Sequence, residues 1–164
     1  MREILFRGQT RKFGEKVNMG GEKLPSKWVY GGIFAPHQNE NGFYVIYTCD
    51  KVNKYPVYAD TVGQYTGLKD KNGAKIFEGD IVKTTNCLGD EETFYIRFGE
   101  CRKTTTDRTD DGYIGFYVEP ASIRTKELFK YGLRNDIIYW IKNCGVVVIG
   151  NIYDNPELLE VNNE

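Results

Sequence analysis

Carboxylates are the side chains of this chain whose spacing first suggests chemistry. Glu78 and Asp80 flank Gly79, and Asp70 lies shortly before them. Acid–base catalysis or metal-assisted hydrolysis needs a second acid, a histidine or a positioned water beside such a group. A Gly-Asp pair before Ile-Val is instead typical of a turn in which Asp bonds the local backbone. We therefore predict a structural turn at Gly79 and Asp80. A metal-dependent hydrolase or nuclease that uses Glu78, Asp80 or Asp70 is the least favoured alternative.

The sequence has few histidine and cysteine residues that could act in catalysis or bind a metal. His37 is the only imidazole, and no neighbouring residue orients it as a catalytic triad requires. The cysteines form no CxxC pair and their spacing does not suit structural zinc. We expect reduced thiols in a cytoplasmic protein, because no secretory signal is visible. We predict no catalytic residue, no metal and no cofactor. The four cysteines are Cys49, Cys87, Cys101 and Cys144.

A glycine-rich, lysine-bearing stretch over residues 66–82 suggests phosphate binding. A P-loop needs the pattern G-x-x-x-x-G-K-[ST] at the start of a helix. Gly67 and Gly73 are one residue too far apart, and Ala74 stands where the lysine is required. The stretch is typical of a β-hairpin, with Asn72 and Gly73 at a two-residue tip that needs positive φ angles.

Basic side chains close to aromatic ones suggest contacts with nucleic acid. Single-strand binding combines stacking on rings with neutralisation of phosphates. Seven acids lie between residues 90 and 111, however, and they favour a solvated surface of mixed charge. The net charge of the whole chain is −1, which indicates no basic face. Nucleic-acid binding is kept as the alternative function. Its candidate contacts are Arg97, Arg102, Lys103 and Arg108.

Short β-branched and aromatic runs, separated by Gly, Pro and Asn, predict a mainly β chain. The 12 tyrosines and 18 glycines agree with many short strands joined by tight turns. Aromatic residues are dense in the strands at 28–34 and 43–47, and exposure of several together would mark a protein interface. The predicted strands are residues 3–7, 28–34, 43–49, 57–58, 64–68, 74–77, 81–84, 93–98, 113–118 and 146–149.

Residues 122–142 break this β pattern with apolar residues at helical spacing. We predict two short helices separated near Gly132, the second capped by Asn135 and ended by Gly145. A buried strand over residues 137–141 remains the alternative, because short apolar runs are ambiguous. The apolar positions are Phe129, Leu133, Ile137, Trp140 and Ile141.

Two long stretches resemble the YopX family of phage and prophage proteins. Residues 61–82 contain Thr-Gly-Leu-Lys-Asp-Lys-Asn-Gly and Ile-Phe-Glu-Gly-Asp-Ile-Val, and residues 148–159 read Val-Ile-Gly-Asn-Ile-Tyr-Asp-Asn-Pro-Glu-Leu-Leu. Residues 1–7 are also similar, whereas residues 100–145 look like an elaboration. The resemblance implies a phage or prophage origin and a small SH3-type barrel or roll. It implies no activity and supplies no catalytic residue.

The balance of charge changes near residue 60. Residues 1–60 carry 9 Lys and Arg against 6 Asp and Glu, and residues 61–164 carry 13 against 17. We therefore predict an N-terminal β region over 1–60. A YopX-like barrel domain over 61–164 would follow, with a partly helical insertion near 122–142.

The function that these patterns favour is binding without catalysis. No catalytic pattern is present, the predicted sheet is rich in aromatic residues and the net charge is close to zero. The apolar runs are too short to cross a membrane. We predict a cytoplasmic accessory protein that binds another protein and forms homo-oligomers.

Overall fold

The chain divides into two compact units, Met1–Gly67 and Leu68–Glu164. The sequence analysis placed the boundary slightly earlier, between residues 60 and 61. The computed structural model describes residues 3–10, 28–34, 43–48, 54–86, 89–101, 112–130 and 136–159.

The first unit contains an antiparallel sheet in the order β4-β3-β2-β1-β5. Buried Val29 and Val57 centre its core, with Phe6, Ile33, Tyr55 and Val62 packed around them. A 3₁₀ turn over Ala59–Thr61 precedes β5, and the end of β5 enters the second unit. The strands are β1 (Phe6–Gln9), β2 (Trp28–Phe34), β3 (Phe43–Thr48), β4 (Lys54–Tyr58) and β5 (Gly63–Lys69).

Strand β4 begins earlier than the sequence predicted. The analysis started this strand after Pro56, but Pro56 lies within β4, opposite Val45 of β3. Because β4 is the last strand in the order of its sheet, the missing N–H of proline can face away from β3. On that side the described residues show a bridge between Thr10 and Val57, the neighbour of Pro56, and no bridge at Pro56 itself, so no N–H donor is needed there.

The turn that joins β5 to β6 (Lys75–Phe77) has three residues rather than the two predicted. The N–H of Gly73 donates to the carbonyl of Asp70 at 3.0 Å, and the N–H of Asp70 donates to the carbonyl of Ala74 at 2.8 Å. Gly73 has a φ of 85°. This is the pattern of a type I turn followed by a left-handed residue, so only the last position requires glycine.

The second unit is built on a four-stranded antiparallel sheet in the order β10-β7-β8-β9. Alternate residues of these strands point to one face, where Val82, Phe94, Ile96 and Val118 form a fully buried cluster. The strands are β7 (Asp80–Thr85), β8 (Glu91–Cys101), β9 (Tyr113–Pro120) and β10 (Val147–Asn151).

Two helices, α1 (Ile123–Lys130) and α2 (Ile137–Asn143), lie between β9 and β10. Residues 137–141 are therefore helical, and the alternative of a buried strand is wrong. Trp140 of α2 packs on Phe94 with ring centroids 4.7 Å apart, which places α2 over the core face of the sheet.

The capping of α2 differs in part from the prediction. Asp136 is the cap, because its carboxylate accepts the N–H of Ile138 at 2.8 Å. Gly145 does close the helix as predicted, with a φ of 66° and an N–H bond of 3.0 Å to the carbonyl of Trp140. Gly132 and Asn135 lie outside the described residues.

The predicted fold class, mainly β with few helices, is confirmed. The SH3-type detail is not confirmed. In the described part of the second unit, the strands β10 to β9 form an open sheet rather than a closed barrel. A separate observation concerns membranes: among the described helices, none has the length and apolar character needed to cross one.

Candidate interaction surface

Asp70 is a buried carboxylate that is held by backbone donors. Its Oδ1 accepts the N–H groups of Asn72 and Ala74, each at 2.8 Å, and its Oδ2 accepts that of Val148 at 3.1 Å. Burial alone would raise the pKa of Asp70, but these bonds, with a contribution from Gly73, hold the pKa below its ordinary value. The carboxylate therefore fastens the β5–β6 turn to β10.

The predicted turn at Gly79 and Asp80 joins β6 to β7. Gly79 has a φ of 80°, and its carbonyl accepts the N–H of Ile152 at 2.9 Å. A side chain at this position would come within 3.1 Å of the ring of Tyr153. Asp80 is 1% exposed, and its Oδ2 accepts the N–H of Phe77 at 2.7 Å. Both residues thus have structural tasks in the turn.

The turn after β10 is closed by asparagine side chains. Asn151 Oδ1 accepts the N–H groups of Tyr153 and Asp154, each at 3.0 Å, as in an Asx turn. Asn155 Oδ1 accepts the N–H of Asn151 at 3.4 Å. A Cβ atom on Gly150 would lie 2.4 Å from that oxygen, so this close approach requires glycine.

The two stretches that carry the YopX resemblance therefore bind each other in the structure. Asp70 of the first stretch contacts Val148 of the second, and Gly79 contacts Ile152. We call this set of contacts, between residues 70–80 and residues 148–155, the clamp. Its polar groups fix strands in place, so the most specific part of the sequence has a structural explanation.

The described residues contain no group of three or more His, Cys, Asp or Glu side chains that could hold a metal ion. Of the acids in the hydrolase alternative, Asp70 and Asp80 are engaged by backbone amides as described above. Cys101 and Cys144 form no disulfide among the described residues. His37, Cys49 and Cys87 lie outside the described residues.

Glu92 is buried, although the sequence analysis counted it among the acids of a solvated surface. It is fully buried, and its Oε2 accepts the hydroxyl of Thr125 at 2.9 Å. Its Oε1 accepts the side-chain amide of Asn86 at 3.3 Å. The period of two along a strand was the available signal, since Glu92 shares the core face of β8 with Phe94 and Ile96. This polar contact ties α1 to the sheet.

Arg97 lies on the opposite face of β8, in a cluster centred on Glu119. The hydroxyl groups of Tyr95 and Tyr117 both donate to the Glu119 carboxylate, and Arg97 Nη1 lies 3.8 Å from Glu119 Oε2. Burial and the bond to Glu119 raise the pKa of Tyr95 to about 12. Burial would lower the pKa of Arg97, but the negative charge of Glu119 raises it on balance.

This cluster bears directly on the nucleic-acid alternative. Glu119 balances the charge of Arg97 and would repel a phosphate group that approached the same face. Arg97 is the one candidate contact that the structure describes, since Arg102, Lys103 and Arg108 lie outside the described residues.

The C-terminal end of β8 and the N-terminal end of β9 extend beyond the rest of their sheet. Strand β7 pairs with β8 only from Glu91 to Tyr95, whereas β9 pairs with β8 as far as Cys101. The extension is a two-stranded antiparallel pair made of residues 97–101 and 113–117, which we call the ribbon. It is not isolated on all sides, because Tyr117 forms a β-bridge with Asp136 and Cys101 is buried.

One face of the ribbon carries accessible apolar side chains beside the exposed Glu100, which lies opposite Ile114. Phe98 is 47% exposed, Ile114 is 78% exposed, and Phe116 lies between them. The Phe98 and Phe116 ring centroids are 5.0 Å apart. This face continues the core face of the sheet past the cluster of buried residues that α2 joins. Contiguous exposed apolar side chains of this kind mark interaction surfaces, so the ribbon is the best candidate site among the described residues.

The comparison with protein families agrees with the resemblance seen in the sequence. The sequence profile of the YopX protein family matches residues 22–160. No curated protein matches the chain. Among solved structures, protein EF1440 from Enterococcus faecalis is similar over 98% of this chain and 100% of its own, with 22% sequence identity and a TM-score of 0.39.

Proposed function

The chain belongs to the YopX protein family, and we propose that it is a phage-type accessory protein that acts by binding a protein rather than by catalysis. The observation that carries this proposal is the ribbon, where Phe98 and Ile114 present apolar surface outside the core. We further propose that the protein associates with itself in the cytoplasm.

The energetics of exposed apolar surface support a binding role. Burial of a large apolar side chain contributes about 1.5–3 kcal/mol, and aromatic residues are enriched at the centre of interfaces. Phe98 and Ile114 gain little of this energy within the described chain because both remain exposed. A partner that covers them would gain it.

The buried carboxylates support the part of the proposal that concerns catalysis. Asp70, Asp80 and Glu92 are the carboxylates nine-tenths or more buried in the described residues, and each accepts hydrogen bonds that hold structural elements together. A general base or nucleophile needs an oxygen that faces a substrate. These oxygens instead face backbone amides, a hydroxyl or a side-chain amide of their own chain.

The test is an affinity capture from bacterial lysate with matched variants. Ile114→Asp places a charge on the ribbon, and Ile123→Asp places the same charge at the start of α1, where Ile123 is 58% exposed. We expect a protein that the wild type and Ile123→Asp retain, and that Ile114→Asp loses, in the presence of nuclease.

Two outcomes would contradict the proposal. Capture that Ile114→Asp does not reduce would remove the ribbon as the binding surface. Recovery that disappears when nuclease is added, with affinity that falls steeply with salt, would favour the nucleic-acid alternative, because phosphate contacts release counterions.

A further inference from the structure

Strand β8 has one edge that faces β7 and one that faces β9. Two backbone hydrogen bonds show which residues direct their N–H and C=O groups to each edge. The carbonyl of Thr93 accepts the N–H of Ala121, just after β9, at 2.9 Å. The carbonyl of Ile96 accepts the N–H of Gly79, just before β7, at 2.9 Å. The N–H and C=O groups of successive residues in a strand alternate between its two edges. Those of Phe98 are therefore directed to the same edge as those of Ile96, away from β9.

Strand β7 ends before it reaches Phe98. The pairing between β7 and β8 stops at Ile81 and Tyr95, and β7 is the one strand of the described residues that pairs with β8 on that side. The N–H and C=O of Phe98 therefore face an open edge in the described structure. Such an edge is a template for one more strand.

We propose that a second copy of this chain adds its own ribbon to this edge, so that β8 of one copy pairs antiparallel with β8 of the other about a two-fold axis beside Gly99. This proposal rests on the proposed self-association and names its surface. Each Phe98 then donates one backbone hydrogen bond and accepts one across the axis. The two four-stranded sheets become one continuous sheet.

The side chains of the ribbon are compatible with this self-pairing. Gly99 of one copy lies opposite Gly99 of the other, so no side chains collide at the axis. The two copies of Arg97 lie on opposite sides of the axis. The positive charge of each is close to the carboxylate of Glu119 in its own chain. An axis perpendicular to the sheet keeps corresponding faces together. Phe98 of each copy then lies opposite the exposed Glu100 of the other, with Ile114 of both copies on the same face, and no like charges stand directly opposite each other.

The test separates the backbone bond from the side chain at one position. Phe98→Pro removes the N–H that faces the open edge, and it leaves the bonds to β9 in place because Phe98 points away from β9. Phe98→Leu keeps both the N–H and an apolar side chain. By sedimentation of the full chain, we expect wild type and Phe98→Leu to dimerise, and Phe98→Pro to raise the dimer dissociation constant at least about tenfold.

Amide exchange of the wild type, followed by NMR, keeps the proposal falsifiable if Phe98→Pro fails to fold. The Phe98 amide should exchange more slowly as protein concentration rises through the dimer dissociation constant. Equal exchange rates in monomer and dimer would overturn the edge pairing, as would an unchanged dimer of folded Phe98→Pro. Those results would leave self-association intact, whereas a wild type that stays monomeric at all concentrations would overturn both proposals.

Discussion

The clamp and the ribbon belong to the same unit but treat their polar and apolar groups in opposite ways. In the clamp, both oxygens of the Asp70 carboxylate accept backbone hydrogen bonds, and the N–H and C=O of Gly79 are both hydrogen-bonded. In the ribbon, the Phe98 peptide faces an open edge and Ile114 is 78% exposed. The contacts of the clamp lie within one molecule, whereas the ribbon leaves apolar side chains exposed, which is why we propose it as the binding surface.

This contrast explains why the most distinctive sequence motifs do not reveal the function. A buried polar group left without a partner costs about 1–3 kcal/mol. Residues such as Asp70 and Gly150 therefore have few tolerable replacements, and they give the sequence its recognisable pattern. An exposed isoleucine in a ribbon has many tolerable replacements as far as folding is concerned. Under the proposed function, the identity of this residue depends on the partner instead.

The largest effect that separates the two regions is expected from Asp70→Ala. This change leaves the N–H groups of Asn72, Ala74 and Val148 without their acceptor. We expect the free energy of unfolding to fall by about 2–4 kcal/mol. Urea denaturation followed by circular dichroism would measure it. Glu91→Ala is the control, because its ion pair with Lys83 is exposed and worth at most about 1 kcal/mol. Similar losses for the two variants would contradict the clamp.

A smaller effect is expected from alanine at two glycines of the same unit. Both Gly79 and Gly73 have φ angles near 80°, but only a side chain at position 79 would meet a ring, that of Tyr153 at 3.1 Å. Gly73→Ala should cost about 1 kcal/mol for the left-handed backbone alone, and Gly79→Ala should cost about 2 kcal/mol or more. Thermal unfolding of both variants gives the difference. An equal cost would mean that the approach of Tyr153 to Gly79 is not part of the clamp.

Acid should weaken the clamp through Asp70. Its pKa is lower in the folded chain than the ordinary value of 3.8. The ionised carboxylate therefore stabilises the fold above that value, and this contribution is lost as the pH falls toward the folded pKa. Asp70→Asn stays neutral at every pH. The difference in unfolding free energy between wild type and Asp70→Asn should be constant well above pH 3.8 and should shrink as the pH falls below 3.8. A difference that stays constant below that pH would exclude Asp70 as the titrating group.

The local features of the fold could be predicted because they depend on neighbouring residues. The β-branched and aromatic runs gave most strands within a few residues, and Gly145 ends α2 where a left-handed residue was expected. The turn after Asp70 was predicted to have two residues, but it has three. The reason is that the Asp70 carboxylate binds the N–H groups of Asn72 and Ala74 and so favours the wider loop.

The candidate site could not be predicted, because it depends on contacts between distant residues. Glu92 meets Thr125 from 33 residues away, and Asp70 meets Val148 from 78 residues away. The ribbon itself exists only because the pairing of β7 with β8 stops at Ile81 while β9 continues along β8. Pattern and composition locate strands, but they do not give the relative lengths of paired strands or the open edge that results.

The smallest effect on stability is expected from Ile114→Ser in the ribbon. Ile114 is 78% exposed, so its loss should change the unfolding free energy by less than about 0.5 kcal/mol. Val118 lies on the same face of β9 and is fully buried, so Val118→Ala should cost about 2 kcal/mol. Sedimentation should show the reverse order, with weaker self-association for Ile114→Ser than for Val118→Ala. If Ile114→Ser instead destabilises the monomer as much as Val118→Ala does, the ribbon is covered within its own chain and the contrast with the clamp fails.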